Sequence, residues 1–342
     1  MMNEFKGQVW NLVAEMAKKK GITELAINAR DRIFIERSGQ FFFLNNRIEP
    51  AELARFCQDV AKFNRINWNE DHPFLDGTLP DGSRINMVHE SYADGQPAIT
   101  IRRYANENMT FHNNPSMFGL NAGWIDLFRI MVGSKKNIVV SGGTSSGKTT
   151  FLNMMIRELS PSERLIIIED TKELNITFPN VVRLVNTPLS DSNVSFRDLV
   201  KNSLRMRPDR IVIGEIRGGE VFDLLNAMNS GHEGSFTSIH ANSSTEALKK
   251  METLYLLSGF DFPLVAIRQH ISSAIDFIIQ LGRDKTGNRI VKHIYEVQGM
   301  EGDTVLTSCI ANRAAGGLHS TGLSPQCLEG EIPDELRATL FT

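Results

Sequence analysis

Gly142-Gly143-Thr144-Ser145-Ser146-Gly147-Lys148-Thr149 follows the apolar run Ile138-Val139-Val140, with only Ser141 between them. The octapeptide has the form G-x-x-x-x-G-K-[ST], and strand, glycine-rich loop and helix in that order make a cradle for nucleotide phosphates. Glycines let successive backbone N–H groups converge on one anion, and a helix beginning near Lys148 directs its positive end at the same point. Lys148 is expected to reach the β- and γ-phosphates and Thr149 to offer its hydroxyl to Mg²⁺, with Thr150 the last residue of the cradle. The expected ligands are therefore a nucleoside triphosphate and Mg²⁺. Downstream, Phe151-Leu152-Asn153-Met154-Met155-Ile156 is apolar enough to bury as a helix against a sheet, which a chance glycine-rich turn does not require.

Working outward, Leu165-Ile166-Ile167-Ile168, Val181 to Val185, Ile211-Val212-Ile213, Phe236 to Ile239 and Phe277-Ile278-Ile279 read as buried strands. They alternate with helical stretches such as Phe196 to Met206 and Val221 to Asn229, and Trp124 to Val132 forms a helix ahead of the loop. That alternation predicts an α/β fold with a mostly parallel sheet covered on both faces. Such sheets gather catalytic groups at the carboxyl ends of their strands. Two strands deliver acids there: Arg210 to Gly214 leads to Glu215, the Walker B position, and Leu165 to Ile168 leads to Glu169 and Asp170. Phosphoryl transfer to water needs one group to orient the nucleophile and another to hold Mg²⁺ or its waters. Glu169 and Glu215 are the candidates, and spacing alone leaves open which is the base and which, with Thr149, holds the metal. His232, in Ser230-Gly231-His232-Glu233-Gly234, and His240, after Thr237-Ser238-Ile239, are candidates for sensing the γ-phosphate. Metal binding is the weaker reading of the two histidines, since neither a carboxylate nor a thiol stands at ligand spacing around them.

The 342 residues predict two domains. Hydrophobic and charged contents of 41% and 23% are those of ordinary globular proteins, and a net charge of −3 exerts no global attraction on nucleic acid or anionic lipid. Cys57, Cys309 and Cys327 are odd in number and far apart, which suggests neither a disulfide framework nor a zinc site and fits a reducing cytoplasm. Residues 1–20 lack the continuous apolar core of a secretory signal. No stretch approaches the roughly 18 uninterrupted apolar residues of a spanning helix, so any membrane role is expected to be peripheral.

Residues 1–104 read as a small α+β domain. Phe5, Val9, Leu12 and Met16 recur at helical spacing, and Lys18-Lys19-Lys20 before Gly21 mark the end of that helix. Residues 32–36 and 40–44 flank a turn at Ser38-Gly39 and predict a hairpin, while a second helix runs from Pro50 with Leu53, Phe56, Val60 and Phe63 on one face. Arg84 to His89 and Ala98 to Tyr104 are further strands. A polar stretch rich in Asn, residues 105–120, is expected to be the interdomain linker, with the ATPase domain and its tail over 121–342.

The run from Phe196 through Arg207-Pro208-Asp209 to Glu215-Ile216-Arg217-Gly218, followed by Gly231-His232-Glu233-Gly234-Ser235 and Ser238-Ile239-His240-Ala241-Asn242-Ser243, resembles the secretion ATPases of type II and type IV systems. The blocks look most like the branch that powers tight-adherence (Flp) pili, and the similarity covers roughly 70–302. The resemblance implies a RecA-like ATPase domain in which 142–149 is the Walker A loop, Glu169 and Asp170 belong to the aspartate box, Glu215 is the Walker B glutamate, and His232 and His240 form the histidine box. It also implies that Arg84 and Arg102 of the N-terminal domain reach the nucleotide phosphates, whereas Arg103 is expected to be an exposed strand arginine. Arg217 is expected either to act across a subunit boundary or to pair with Glu220. By the same resemblance the chain is a homohexameric ring, cytoplasmic and peripheral at the inner membrane, docked on a platform protein of a pilus or secretion machine, with no nucleic-acid partner. The alternatives are a conjugative or type IV secretion traffic ATPase, which shares nearly every block, a phosphate-loop kinase, and a non-hydrolysing ATP-binding scaffold.

Overall fold

The computed structural model describes residues 5–19, 21–37, 39–103, 109–186 and 194–341. The expected positions of Lys20, of Ser38 in the hairpin turn, of Tyr104 at a strand end and of the first part of the linker, 105–108, lie outside them. The described residues form two compact units, one within 5–103 and one of 109–186 with 194–341.

In the first unit the order is α1 (Gln8–Lys18), β1 (Ile22–Ala29), β2 (Arg32–Arg37), β3 (Gln40–Leu44), α2 (Pro50–Asn64), β4 (Phe74–Thr78), β5 (Arg84–Val88) and β6 (Ala98–Arg102). All five pairings in the sheet β3-β2-β1-β6-β5-β4 are antiparallel. One face is closed by α1 and α2, through Val9, Trp10, Val13, Leu53, Phe56 and Val60 packed on Leu25, Ile27, Leu75, Ile85, Met87, Ile99 and Ile101. Two of these strands escaped sequence reading for identifiable reasons. In β1 a register shift between Ile22 and Glu24 breaks the period-2 alternation. In β4, Gly77 stands where a Cβ would come within 2.5 Å of Asn64 Oδ1, and the Asn64 side chain bonds both the N–H and the carbonyl of Thr78. That glycine weakens the strand signal yet is needed for the helix to dock on the strand.

The second unit runs α3 (Ala122–Gly133), β7 (Ile138–Ser141), α4 (Lys148–Ile156), β8 (Leu165–Glu169), β9 (Val181–Val185), α5 (Phe196–Ser203), β10 (Arg210–Ile213), α6 (Glu220–Met228), β11 (Phe236–Ile239), α7 (Ser244–Leu256), α8 (Leu264–Ala274), β12 (Phe277–Arg283), β13 (Arg289–Glu301), β14 (Thr304–Ala314), β15 (Gly317–Ser320) and α9 (Asp334–Phe341). Its nine strands lie in the order β15-β14-β13-β12-β7-β11-β10-β8-β9. The six from β12 to β9 are parallel, as the alternation of strands and helices predicts. The other three, β13 to β15, extend the sheet antiparallel from β12 and were not foreseen.

Pleating sends alternate residues of each parallel strand to opposite faces. Ile138, Val140, Leu165 and Ile167 join one core with Phe128, Phe151, Leu152 and Met155, and Val139, Ile166, Ile168, Ile211 and Ile213 join the other with Val221, Leu224, Met251 and Ile271. Burial on both faces is why these strands read as uninterrupted apolar runs. Phe111, Phe118 and Leu120, within the stretch read as linker, pack into the first of these cores. Among the described residues no helix is long and apolar enough to cross a membrane.

Candidate nucleotide site

The glycine-rich loop springs from the carboxyl end of β7, the fifth strand of the nine-stranded sheet, between β12 and β11. Ser145 and Gly147 hold left-handed φ values of 59° and 96°, and the right-handed helix α4 opens at Lys148. Alternation of hand along a short stretch turns successive N–H groups toward one side, which makes an anion-binding concavity. Gly142 is irreplaceable on steric grounds, since a Cβ there would lie 2.4 Å from Ser146 Oγ and 3.2 Å from the carbonyl of Leu281. Ser146 closes the loop by donating its hydroxyl to the Gly143 carbonyl at 2.8 Å. Thr144 stands at the tip of the same loop, between Gly143 and Ser145.

Lys148 is only 7% exposed, and its ammonium donates to the carbonyls of Gly142 at 3.0 Å and Gly143 at 3.3 Å. It also lies 3.2 Å from each ring nitrogen of His240, and equal distances from both place the charge over the imidazole face. His240 Nε2 is in turn 3.3 Å from Glu215 Oε1, and the other Glu215 oxygen accepts from Arg217 Nη2 at 3.1 Å. Burial above all, with help from Lys148, Lys250 and Arg217, holds the His240 pKa below its ordinary value against the opposing pull of Glu215. The ring is therefore neutral at pH 7. Arg217 also reaches Asp170 Oδ2 at 3.4 Å, so its side chain bridges the two acid-bearing strand ends. Glu220, the expected partner of that side chain, instead accepts from the backbone N–H groups of Arg217 and Gly218.

The two strand-end acids occupy different surroundings. Glu169 is 3% exposed, its Oε1 accepts from the N–H groups of Glu173 and Leu174 at 2.9 and 2.7 Å, and its Oε2 accepts from Arg183 at 2.9 Å. Burial raises its pKa, opposed by those N–H groups and by Arg183. With its oxygens engaged in this way, Glu169 pins the turn that follows β8. That turn carries Glu173, which sequence reading passed over, and Glu173 Oε2 accepts from the Thr149 hydroxyl at 2.9 Å. The signal was present in Glu169-Asp170-Thr171-Lys172-Glu173: a second carboxylate four residues past the strand end, immediately before the buried Leu174.

The structure separates the two histidines. Phe236, the first residue of β11, pairs with Ile138 at the start of β7, and Ile239 pairs with Ser141 at the loop. His240 therefore follows the loop edge of the sheet, whereas His232 precedes the opposite edge, at least roughly 13 Å of strand away. There its carbonyl accepts from the Ser235 hydroxyl at 2.7 Å and serves a turn. Within this chain the structure does not bring His232 to the loop edge beside His240, since a β-strand's length divides the two.

In the N-terminal unit, Arg84 and Arg102 are direct cross-strand partners on β5 and β6, and Glu24 of β1 is the partner of Arg102 on its other side. Directly opposed residues share a face. Arg102 Nε lies 3.7 Å from Glu24 Oε1, and the Glu24 pKa is raised by burial despite that cation. Arg103 is not free in solvent as expected: it donates to the carbonyls of Ala17 at 2.5 Å and Lys19 at 2.8 Å, closing the carboxyl end of α1.

The donor set around the loop suits Mg²⁺. Among the described residues there is no group of three His, Cys, Asp or Glu side chains that could hold a metal on their own. Mg²⁺ keeps several waters and binds through one or two protein oxygens together with phosphates, and Thr149 Oγ1 offers such an oxygen beside the Glu173 carboxylate, which can reach the ion's waters.

The chain is similar to several known proteins. The conjugal transfer protein TrbB of Rhizobium radiobacter is 32% identical over 282 residues, covering 81% of this chain and 84% of that protein. The type IV secretion system protein VirB11 of Brucella suis biovar 1 is 30% identical over 310 residues, covering 81% and 85%. The X-ray structure of the Legionella pneumophila ATPase DotB superposes with a TM-score of 0.61 over 84% of this chain and 79% of its own, at 20% identity, a likeness of fold. Residues 10–316, most of the chain, match the type II/IV secretion system protein family, and the chain belongs to that family.

Proposed function

We propose that this protein is a Mg²⁺-dependent ATPase that works as a homohexameric ring and drives a type IV secretion or conjugation apparatus from the cytoplasmic face of the inner membrane. The observation that carries the chemistry is the convergence of Lys148, His240 and Glu215 on one side of the loop and of Thr149 with Glu173 on the other. ATP laid in the loop meets Lys148 at its β- and γ-phosphates and Thr149 at its metal. Bound Mg²⁺ would neutralise developing phosphate charge. Glu173 is the carboxylate assigned to orienting the attacking water, Glu169 positions it through the backbone, and Glu215 holds His240 and Arg217 in place. Neutral His240 contacts both Lys148 and Glu215, which suits it to register the γ-phosphate. Arg84 and Arg102 are assigned to phosphate neutralisation in the assembled ring.

Likeness to the conjugal transfer protein TrbB and the type IV secretion system protein VirB11 supports a conjugation or type IV secretion machine over the tight-adherence pilus to which the sequence blocks point. The test has two parts. Purified protein should release phosphate from ATP only with Mg²⁺, Lys148→Ala should abolish release, and Glu215→Gln should bind nucleotide but turn over slowly. In the native host, loss of the chain should abolish plasmid transfer and leave surface pili intact. Loss of pili with normal transfer would restore the pilus reading, and wild-type protein without phosphate release would remove the enzymatic one.

A further inference from the structure

Two arginines at the turn between β12 and β13 stand against the glycine-rich loop. Arg283, the last residue of β12, donates its Nε to the carbonyl of Ser145 at 3.2 Å and its Nη1 to the carbonyl of Gly287 at 3.0 Å. Arg289, the first residue of β13, reaches Thr150 Oγ1 at 3.4 Å. The turn between them is heavily bonded. Asp284 accepts from the N–H and hydroxyl of Thr286 and from the N–H and amide of Asn288, and those bonds hold its carboxylate below the ordinary range. Arg283 is therefore mounted on a rigid support.

Ser145 is the residue that needs support. It is the one non-glycine of the loop in the left-handed region, at φ 59°, a conformation that side chains with a Cβ resist and glycine adopts freely. A trans peptide points its carbonyl and its N–H in opposite directions. Fixing the Ser145 carbonyl outward on Arg283 consequently turns the Ser146 N–H back across the loop, where its bond to the Gly143 carbonyl is a long 3.4 Å. That N–H is one of the donors an anion in the loop would use.

We infer that Arg283 is a positioning residue for nucleotide binding, acting through Ser145: it holds the loop in its phosphate-accepting conformation before nucleotide arrives. The inference rests on the nucleotide-binding reading above and adds to it a control point in the C-terminal hairpin. Its contribution is to binding, not to the chemical step.

The experiment titrates a fluorescent ADP analogue and measures ATPase kinetics for wild type, Arg283→Ala, and the double variant Arg283→Ala/Ser145→Gly. Arg283→Ala should raise both the analogue's Kd and the KM for ATP about five-fold, the equivalent of about 1 kcal/mol of left-handed strain no longer held, with kcat within about two-fold. Glycine at 145 removes that strain, so the double variant should bind within about two-fold of wild type. A rescue of this kind is not expected of a general loss of structure or of a direct arginine–phosphate contact. Unchanged affinity in Arg283→Ala, or a double variant as weak as the single one, overturns the inference while leaving the nucleotide site standing. A wild-type protein that binds no analogue overturns both.

Discussion

Exchanging Glu169 and Glu173 each for glutamine should produce two different defects. Glu169→Gln keeps the shape of a side chain that accepts two backbone N–H groups on one oxygen and Arg183 on the other. The amide oxygen can retain the backbone pair, but the amide NH₂ then faces a guanidinium, donor against donor. Breaking a buried ion pair by removing one partner costs roughly 3–5 kcal/mol. Arg183 keeps its 2.5 Å bond to the Leu174 carbonyl and its side chain is 17% exposed, which places the cost at the lower end, about 3 kcal/mol. For a unit of this size that lowers its melting temperature by roughly 6–12 °C. Glu173→Gln changes the acceptor of the Thr149 hydroxyl. It deletes the carboxylate beside Thr149, and loss of a group that orients or deprotonates water costs about 10²–10⁴ in kcat. Calorimetry on both variants, together with phosphate release and ADP-analogue affinity, separates the outcomes. The expected pattern is Glu169→Gln unstable yet, below its transition, still turning over, and Glu173→Gln stable, nucleotide-bound and slow. Turnover at the wild-type rate in Glu173→Gln, or lost turnover at unchanged stability in Glu169→Gln, would refute the assignment.

Other expectations follow from the same geometry. His240, His270 and His293 all have pKa values lowered from 6.5, with burial the first cause in each. A depressed histidine contributes stability that is complete above the unfolded value and lost as pH falls through the folded one. Chemical denaturation should thus show stability declining on acidification below about pH 6.5, and a His270→Gln/His293→Gln variant should decline less. Removing the cap in Arg103→Ala should destabilise the first unit by about 1–2 kcal/mol in a urea titration, with kcat unchanged. Phosphate release per chain should rise with protein concentration in step with a mass increase on light scattering, the outcome required by the proposal that ring assembly completes each site. A monomer with concentration-independent activity would count against assembly.

How much was legible in the sequence depended on whether a feature was local. The loop, the helix opening at Lys148 and the parallel strands are written in consecutive residues, all of those strands but the half-buried edge strand β9 as runs buried on both faces. The role of Glu169 is not written that way. A strand-end acid reads as catalytic until one knows that Arg183, from the next strand, occupies one of its oxygens. Glu173 was missed for the converse reason, since its significance lies in reaching Thr149 across 24 positions. His232 and His240 look equivalent in a motif, and only strand pairing shows that a β-strand's length divides them. The antiparallel hairpin of β13 and β14 carries bulges between Ile294 and Tyr295 and between Val297 and Gly299, and these scrambled the alternation that would have announced it.

The most direct measurement is a crystal structure of the protein with Mg²⁺ and a non-hydrolysable ATP analogue. The account predicts the triphosphate in the loop from Gly142 to Thr150, Lys148 turned from His240 to the γ-phosphate, Thr149 on the metal, and Glu173 facing a water in line with the terminal phosphorus. An empty loop, or a bound analogue with Glu173 turned away and Glu169 freed from Arg183 to take its place, would contradict it.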